Sequence, residues 1–383
     1  MMEFLFWFFT ALIVYTYVGY PILLFVLSTP LAQKVKKGQK LPTVSIILSA
    51  FNEEDFIEQK LRNLLGIDYP DDRIEILVGS DGARDRTDEI VSRFHSARVR
   101  FFRFVRNQGK PSVLNSLVRE AQGSILVFTD VRQEFDSRAI QALVQNFEDP
   151  KVGCVSGELC FKRRQAEQTG SIAEGMSRYW NYEKFLRKHE SKIGSMLGAT
   201  GAIYAIRTEL FSPLPPDIVV DDMYIPFTII KLGYRAIFES EARAHDSPSE
   251  RPIEEFQRKV RTLAGNYQIF GFFLDLLIPF KSPIAWQLIS HKFLRLIVPF
   301  FLFGLFVSNV FLVTNPVYAL MLAGQLFFYL LAVVEGYGNQ TGKTKKGLGY
   351  IPYVFCLLNF CALVGLIRFI KGTQKITWEK AYV

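Results

Sequence analysis

Residues 4–28, FLFWFFTALIVYTYVGYPILLFVLS, carry no charged side chain over 25 positions. A run of that length can cross a hydrocarbon core ~30 Å thick with some tilt, so it predicts a transmembrane helix. A cleaved secretory signal would need a basic start, a shorter apolar stretch and a small-residue cleavage site. Met1-Met2-Glu3 is acidic instead and the run is too long, so no cleavage is expected. Lys34, Lys36, Lys37 and Lys40 follow directly. By the positive-inside rule this flank lies in the cytoplasm and the N-terminus outside.

Composition adds two exclusions. With 49% hydrophobic and 21% charged residues among 383, the chain is too apolar to be disordered as a whole. Its net charge of +8 is compatible with nucleic acid, anionic lipid or a phosphorylated ligand. The lysines beside an apolar run favour the membrane surface, and no nucleic-acid partner is expected. The four cysteines, Cys154, Cys160, Cys356 and Cys361, show no CxxC spacing. They indicate neither a zinc site nor a disulfide framework.

The charged middle reads as strand then helix, repeated. Strands are expected at 44–51, 74–81, 99–104, 124–130 and 152–161. Helices are expected from Glu53 to Leu65, after Thr87, from Pro111 to Ala121 and from Ser137 to Phe147. Near-continuous apolar strands alternating with helices predict an α/β fold with a mostly parallel sheet covered on both faces. Ligands of such sheets bind beyond the carboxyl ends of the strands. The polar signatures sit there: Ser49 to Glu53, Ser80 to Asp85, and Thr129 to Arg132.

The expected division is residues 1–40 for the first transmembrane helix and its basic linker, 41–265 for a cytosolic catalytic domain, 266–290 for interfacial helices, and 291–383 for further transmembrane helices and the tail. The short run 270–280 suits the membrane surface, whereas runs near 293–313, 317–335 and 349–370 are long enough to cross. Lys343, Lys345 and Lys346 precede the last run and Arg368, Lys371, Lys375 and Lys380 end it, so the charge rule pulls both of its ends inside. Length favours crossing, with the side of the tail left open.

Several residues carry candidate chemistry. Asp81, at a strand end, could accept hydrogen bonds from a ribose or base edge, or serve as a turn residue. No GxGxxG follows the first strand, which argues against a dinucleotide-dependent dehydrogenase. Asn107-Gln108-Gly109-Lys110 opens a helix, where free N–H groups and the lysine could hold phosphate oxygens, or the lysine could simply be solvated. Asp130 ends a very apolar strand and would face the crevice.

Taken in order, SAFNEE, SDGARDRT, NQGKPSVLN, FTD and VVDDM resemble the family 2 inverting glycosyltransferases with a GT-A domain, and among them the membrane-embedded bacterial polysaccharide synthases of the hyaluronan, chitooligosaccharide, cellulose and poly-N-acetylglucosamine type. The resemblance covers roughly 41–265 and the flanking transmembrane plan. It implies that Ser49, Asn52, Glu53 and Asp81 line a nucleotide pocket, that Lys110 meets the diphosphate, and that Asp130 is the first acid of a DxD metal motif. It makes Asp222 of the Asp221-Asp222 pair the general base. Gly198, Thr200 and Gly201 would form the acceptor-side loop. The chain would then be a multi-pass enzyme of the cell inner membrane, transferring sugar from a nucleotide-sugar, a UDP-sugar by preference, to a growing polysaccharide or lipid-linked glycan; the alternatives are a single-addition transferase on a polyprenyl-linked acceptor and a non-catalytic nucleotide-binding membrane partner. Homo-oligomerisation stays open.

Inverting transfer needs a carboxylate to take the acceptor proton and cations to neutralise the departing diphosphate. A like-charged neighbour raises the pKa of one carboxylate, which suits a base. The alternative for Asp222 is a cap on the helix that begins MYIPFTII. The sequence departs from the family in two places. Arg132 stands where the family often has the second acid of DxD, which puts the divalent cation, Mg or Mn, in question; His245 or Asp246 could supply another ligand, although a lone surface histidine is the more ordinary reading of His245, and Arg132 could contact phosphate directly. The family's QxxRW motif is matched by Arg258-Lys259-Val260-Arg261-Thr262. There Arg258 and Arg261 lie on one helix face and could clamp a diphosphate, or rest on anionic lipid.

Overall fold

The computed structural model describes residues 1–161, 171–247, 252–340 and 349–374. Lys343, Lys345, Lys346, Lys375 and Lys380, which bear on the topology, lie outside the described residues, as does the end of the 242–250 segment. The chain opens with α1 (Met2–Val14), a π-helical turn (Tyr15–Gly19) and α2 (Tyr20–Leu27), followed by β1 (Val44–Ala50), α3 (Ile57–Leu65), β2 (Ile74–Asp81), α4 (Thr87–Ser92) and β3 (Val99–Phe104). Next come α5 (Lys110–Glu120), β4 (Ile125–Thr129), β5 (Glu134–Phe135), α6 (Ala139–Val144), β6 (Val152–Phe161) and α7 (Ser171–Ile193). The remainder is β7 (Tyr204–Arg207), α8 (Asp221–Lys231), β8 (Arg235–Asp246), α9 (Pro252–Phe272), α10 (Ala285–Gln287), a second π turn (Leu288–Phe293), α11 (Leu294–Phe311), α12 (Pro316–Gln340) and α13 (Tyr350–Ile370).

The described residues separate into two compact units. One is built from the described parts of 28–162 and 187–247, the other from residues 1–27 and the described parts of 163–186 and 248–374.

The first unit holds one eight-stranded sheet in the order β3-β2-β1-β4-β7-β6-β8-β5. Strands β3, β2, β1 and β4 run parallel to one another. Strand β7 runs antiparallel to both β4 and β6, β6 pairs parallel with β8, and β5 is antiparallel to β8. The sheet is therefore mixed and mostly parallel, as expected. All seven residues of β1 are buried, with Ile46, Ile47 and Leu48 fully so. Each such side chain contributes ~1.5–3 kcal/mol, which is why this strand reads as an unbroken apolar run.

Two helix boundaries move by about a turn. Residues 53–56 form a turn, so the helix expected from Glu53 begins at Ile57. The turn is held because the Glu53 N–H donates to Thr87 Oγ1 (2.8 Å) and the Glu54 N–H to Asp85 Oδ2 (3.1 Å). The helix expected to reach Phe147 ends at Val144 and tightens into a 3₁₀ turn, Gln145–Glu148.

The second unit contains four helices long and apolar enough to cross a membrane: Met2–Leu27, Ala285–Phe311, Pro316–Gly338 and Tyr350–Ile370. They match the four long apolar runs of the sequence. The run 270–280 is divided between the last turn of α9 and a 3₁₀ turn, Leu274–Leu277.

Candidate active site

The carboxyl ends of β1, β2 and β4 collect the polar residues. Asp81 ends β2 fully buried, and its oxygens accept the backbone N–H groups of Gln108 (2.7 Å) and Gly109 (2.9 Å). Burial raises its pKa, and those two bonds work against the rise. The N–H groups read from sequence as free for phosphate at 108 and 109 are thus given to Asp81. Gly109 caps α5 at φ 86°, a conformation that suits glycine. Gly82, at φ 67°, could not carry a Cβ, which would lie 2.7 Å from the Asn107 nitrogen. Asn52 also takes a left-handed conformation, φ 54°, and its Oδ1 accepts the Arg84 N–H at 2.8 Å. The Ser49 hydroxyl, at the end of β1, is buried with no hydrogen-bond partner.

Lys110, in the first turn of α5, brings the acids together. Its Nζ stands 2.9 Å from Asp130 Oδ1 and 3.2 Å from Asp221 Oδ1. Burial disfavours its charge, but Asp130 and Asp221 outweigh burial and raise its pKa. Asp222 Oδ2 accepts the Gly201 N–H at 3.2 Å, and the Asp222 carbonyl accepts the Ala199 N–H at 2.7 Å. Residue 220 is the N-cap of α8 and no side chain caps the helix, so Asp222 does not serve as that cap. Burial, then neighbouring Asp221, pushes the Asp222 carboxyl up to about 6, with Lys110 and Arg187 opposing.

The acceptor-side loop shares this edge because β7 runs antiparallel to β4, with Phe128 paired to Tyr204. A Cβ on Gly201 would lie 3.2 Å from Asp130 Oδ2 and 3.6 Å from Asp222 Oδ2. Gly198 has φ +95°, and the Thr200 N–H donates to Ser156 Oγ at 3.0 Å.

His245 and Arg132 belong to a separate cavity of about 250 Å³, also lined by Phe56, Lys60 and Asp246. His245 Nε2 lies 2.8 Å from Asp136 Oδ1. Arg132 lies 4.0 Å from Asp246 Oδ1, with its guanidinium 5.2 Å from the centre of the Phe56 ring. A larger cavity, about 310 Å³, is lined by Lys40, Ser124, Ile125 and Arg207 and contains none of the expected site residues. Arg258 and Arg261 are exposed on α9, in the helical unit, and Arg258 pairs with Glu255 at 2.5 Å.

One residue here was not singled out from sequence. Lys60 is fully buried, and its Nζ donates to Thr129 Oγ1 (2.8 Å) and the Gln133 carbonyl (2.6 Å), on either side of Asp130. Burial lowers its pKa to about 7 against the pull of Asp130, Glu134 and Asp246. The available signal was its place in the buried stripe Ile57, Lys60, Leu61, Leu64 of α3.

Among the described residues no three His, Cys, Asp or Glu side chains are grouped to hold a metal ion. Asp130 alone, 36% exposed, presents a carboxylate at this strand end. Such a donor set suits a Mg²⁺-type cation that brings phosphate oxygens and waters with it, not a resident ion in an all-protein cage.

The model of the family described as Glycosyl transferase family 2 matches residues 45–212. The probable glycosyltransferase YdaM of Bacillus subtilis is 27% identical over 301 residues, 74% of this chain and 69% of that protein. The poly-beta-1,6-N-acetyl-D-glucosamine synthase of Staphylococcus aureus (strain MSSA476) is 23% identical over 60% of this chain, which spans 56% of the synthase's length. In structure, the mannosyltransferase PcManGT from Pyrobaculum calidifontis, solved with GDP-Man and Mn²⁺, aligns with a TM-score of 0.74 at 22% identity, over 97% of this chain and 99% of that one. The fold is GT-A, and the match of residues 45–212 to the family 2 glycosyltransferase model marks the chain as an enzyme of the transferase class.

Proposed function

We propose that the enzyme transfers a sugar from a UDP-sugar to a hydroxyl of a growing polysaccharide or lipid-linked glycan, inverting the anomeric centre. The observation that carries this reading is the Asp222 carboxyl, raised to about 6, beside Gly201 and within the Asp130–Lys110–Asp221 cluster. A base with that pKa is mostly deprotonated at neutral pH yet keeps more proton affinity than an ordinary aspartate.

In this reading Asp222 takes the acceptor O–H proton as that oxygen attacks the anomeric carbon. The bond to the diphosphate oxygen breaks on the opposite side. Lys110 has three N–H donors, two of which face Asp130 and Asp221, so the third serves a phosphate oxygen. Asp221 keeps Lys110 charged and sustains the proton affinity of Asp222. A divalent cation, Mg²⁺ or Mn²⁺, arriving on the diphosphate would use Asp130 and screen the leaving charge. Ser49, Asn52, Glu53 and Asp81 frame the nucleotide side, and Gly198, Thr200 and Gly201 the acceptor side. His245 is the weaker metal candidate, since Asp136 already engages it.

The same reading makes 41–265 a cytosolic domain of a multi-pass inner-membrane protein, with a transmembrane helix and basic linker at 1–40, interfacial helices at 266–290, and transmembrane helices and the tail at 291–383. Incubating the purified protein with radiolabelled UDP- and GDP-sugars tests it. A ladder of lengthening product supports polymer synthesis, and one added sugar supports a single-addition transferase on a lipid-linked acceptor. Absence of transfer from every donor overturns the proposal.

A further inference from the structure

Arg295 lies in α11, within the apolar helix Ala285–Phe311. Its Nη1 donates to Glu183 Oε1, and its guanidinium carbon lies 5.0 Å and 5.9 Å from the ring centres of Tyr182 and Tyr17. Its other two nitrogens, Nε and Nη2, are buried and have no hydrogen-bond partner. These two nitrogens form one edge of the guanidinium, the parallel pair of N–H groups that matches two oxygens of a phosphate or carboxylate. Leaving a charged donor buried without an acceptor is costly, and an apolar surrounding offers no water in compensation.

The surroundings are built for polar chemistry. Glu183 Oε2 lies 3.3 Å from His291 Nε2 and 3.7 Å from Lys292 Nζ, both on the π turn that precedes α11. The first π turn, Tyr15–Gly19, meets the second through Tyr15 Oη and Ser290 Oγ, 2.8 Å apart. The Tyr182 hydroxyl donates to the Tyr17 carbonyl at 3.2 Å. Two of the four long apolar helices therefore break their regular bonding at one charged cluster. π turns recur at functional sites, and ionisable groups in membrane helices usually mark one.

We propose that the Nε/Nη2 edge of Arg295 receives the phosphate oxygens of a lipid-borne phosphate ester. Phosphate is the anion a bilayer itself carries, and Lys292 and His291 add positive or donor character one turn away. The Arg295 side chain is 13% exposed as a whole, while its Nε and Nη2 atoms are themselves buried. The inference stands apart from the donor chemistry.

The test uses the full chain in a phosphate-free maltoside detergent and follows binding by intrinsic fluorescence and native mass spectrometry. The probes are farnesyl phosphate, farnesol, dioleoyl phosphatidylglycerol and inorganic phosphate. Farnesyl phosphate is expected to bind where farnesol does not. Arg295→Lys keeps the charge facing Glu183 but lacks the fork, and should weaken that binding about tenfold or more, with UDP affinity unchanged. Equal binding of phosphatidylglycerol would support the site and name the bilayer's own lipid as its source. Inorganic phosphate binding as tightly as farnesyl phosphate would overturn the lipid-borne assignment, as would equal affinity of the variant or equal binding of farnesol. Should the variant not fold, the farnesyl phosphate and farnesol comparison on the unaltered protein still decides.

Discussion

Lys110 and Asp130, from α5 and the end of β4, meet at 2.9 Å, and the same ammonium reaches Asp221 at 3.2 Å. One cation thus holds the strand end expected to face the diphosphate against the helix that carries the proposed base. Replacing Lys110 with Ala removes a charged hydrogen bond of ~1.5–3 kcal/mol and should weaken UDP binding roughly tenfold to hundredfold. Calorimetric titration of UDP checks this, and unchanged affinity would confine Lys110 to holding the acids.

Asp222→Asn keeps the shape of the side chain but cannot take a proton. Transfer should fall by ~10²–10⁴ while UDP binding stays near normal. A variant retaining more than about a tenth of normal turnover would exclude Asp222 as the base.

The pH profile should follow the same carboxyl. With its pKa raised to about 6, Asp222 is protonated and inactive as a base below that value. Turnover should therefore rise from pH 5 to pH 7, with a midpoint at about 6. A profile flat across that window would remove proton transfer to Asp222 from the rate-limiting step.

Gly201→Ala would put a methyl group 3.2 Å from Asp130 Oδ2 and 3.6 Å from Asp222 Oδ2. One carboxylate must give by a few tenths of an ångström. Since a displacement of about 1 Å can cost ~10²-fold, kcat should drop several-fold with the thermal midpoint nearly unchanged. Steady-state kinetics beside a melting curve separates this from unfolding.

Lys60 makes a stability prediction with a definite sign. Its folded pKa, about 7, lies below the ordinary lysine value of 10.5, so between those limits the unfolded chain binds more protons. Stability attributable to Lys60 should rise as pH increases from 7 towards 10 and be lowest below 7. Subtracting Lys60→Met from the unaltered protein in melts across that range isolates the effect, and a difference that does not grow with pH would contradict it.

How much of this was legible in sequence depended on the kind of signal. Strands such as Val44–Ala50 and the four long apolar helices announced themselves because continuous apolarity leaves few alternatives. The reversal of β7 was not legible, since Tyr204–Arg207 is too short to carry a direction in its pattern. Asp81, Lys110 and Asp130 stood out as polar residues at predicted element ends, Asp222 stood out through the family resemblance, and the structure gathers Lys110 with three acids. What each one touches was hidden: Asp81 spends its oxygens on the 108–109 backbone, and Arg132 turns towards Asp246. Lys60 was passed over because a lysine in an amphipathic helix is ordinarily solvated, and only packing places this one inside.

The pairing of β4 with β7 has a consequence for how such an enzyme can vary. Residues 125–128 and 204–207 are locked rung by rung, so the gap between Asp130 and Gly201 is set by the ladder and not by the roughly seventy residues of chain between them. Within that segment β6 also pairs with β7 and steadies the same ladder, so only the connections outside β6 are free to vary without altering the spacing across which a bond would be made.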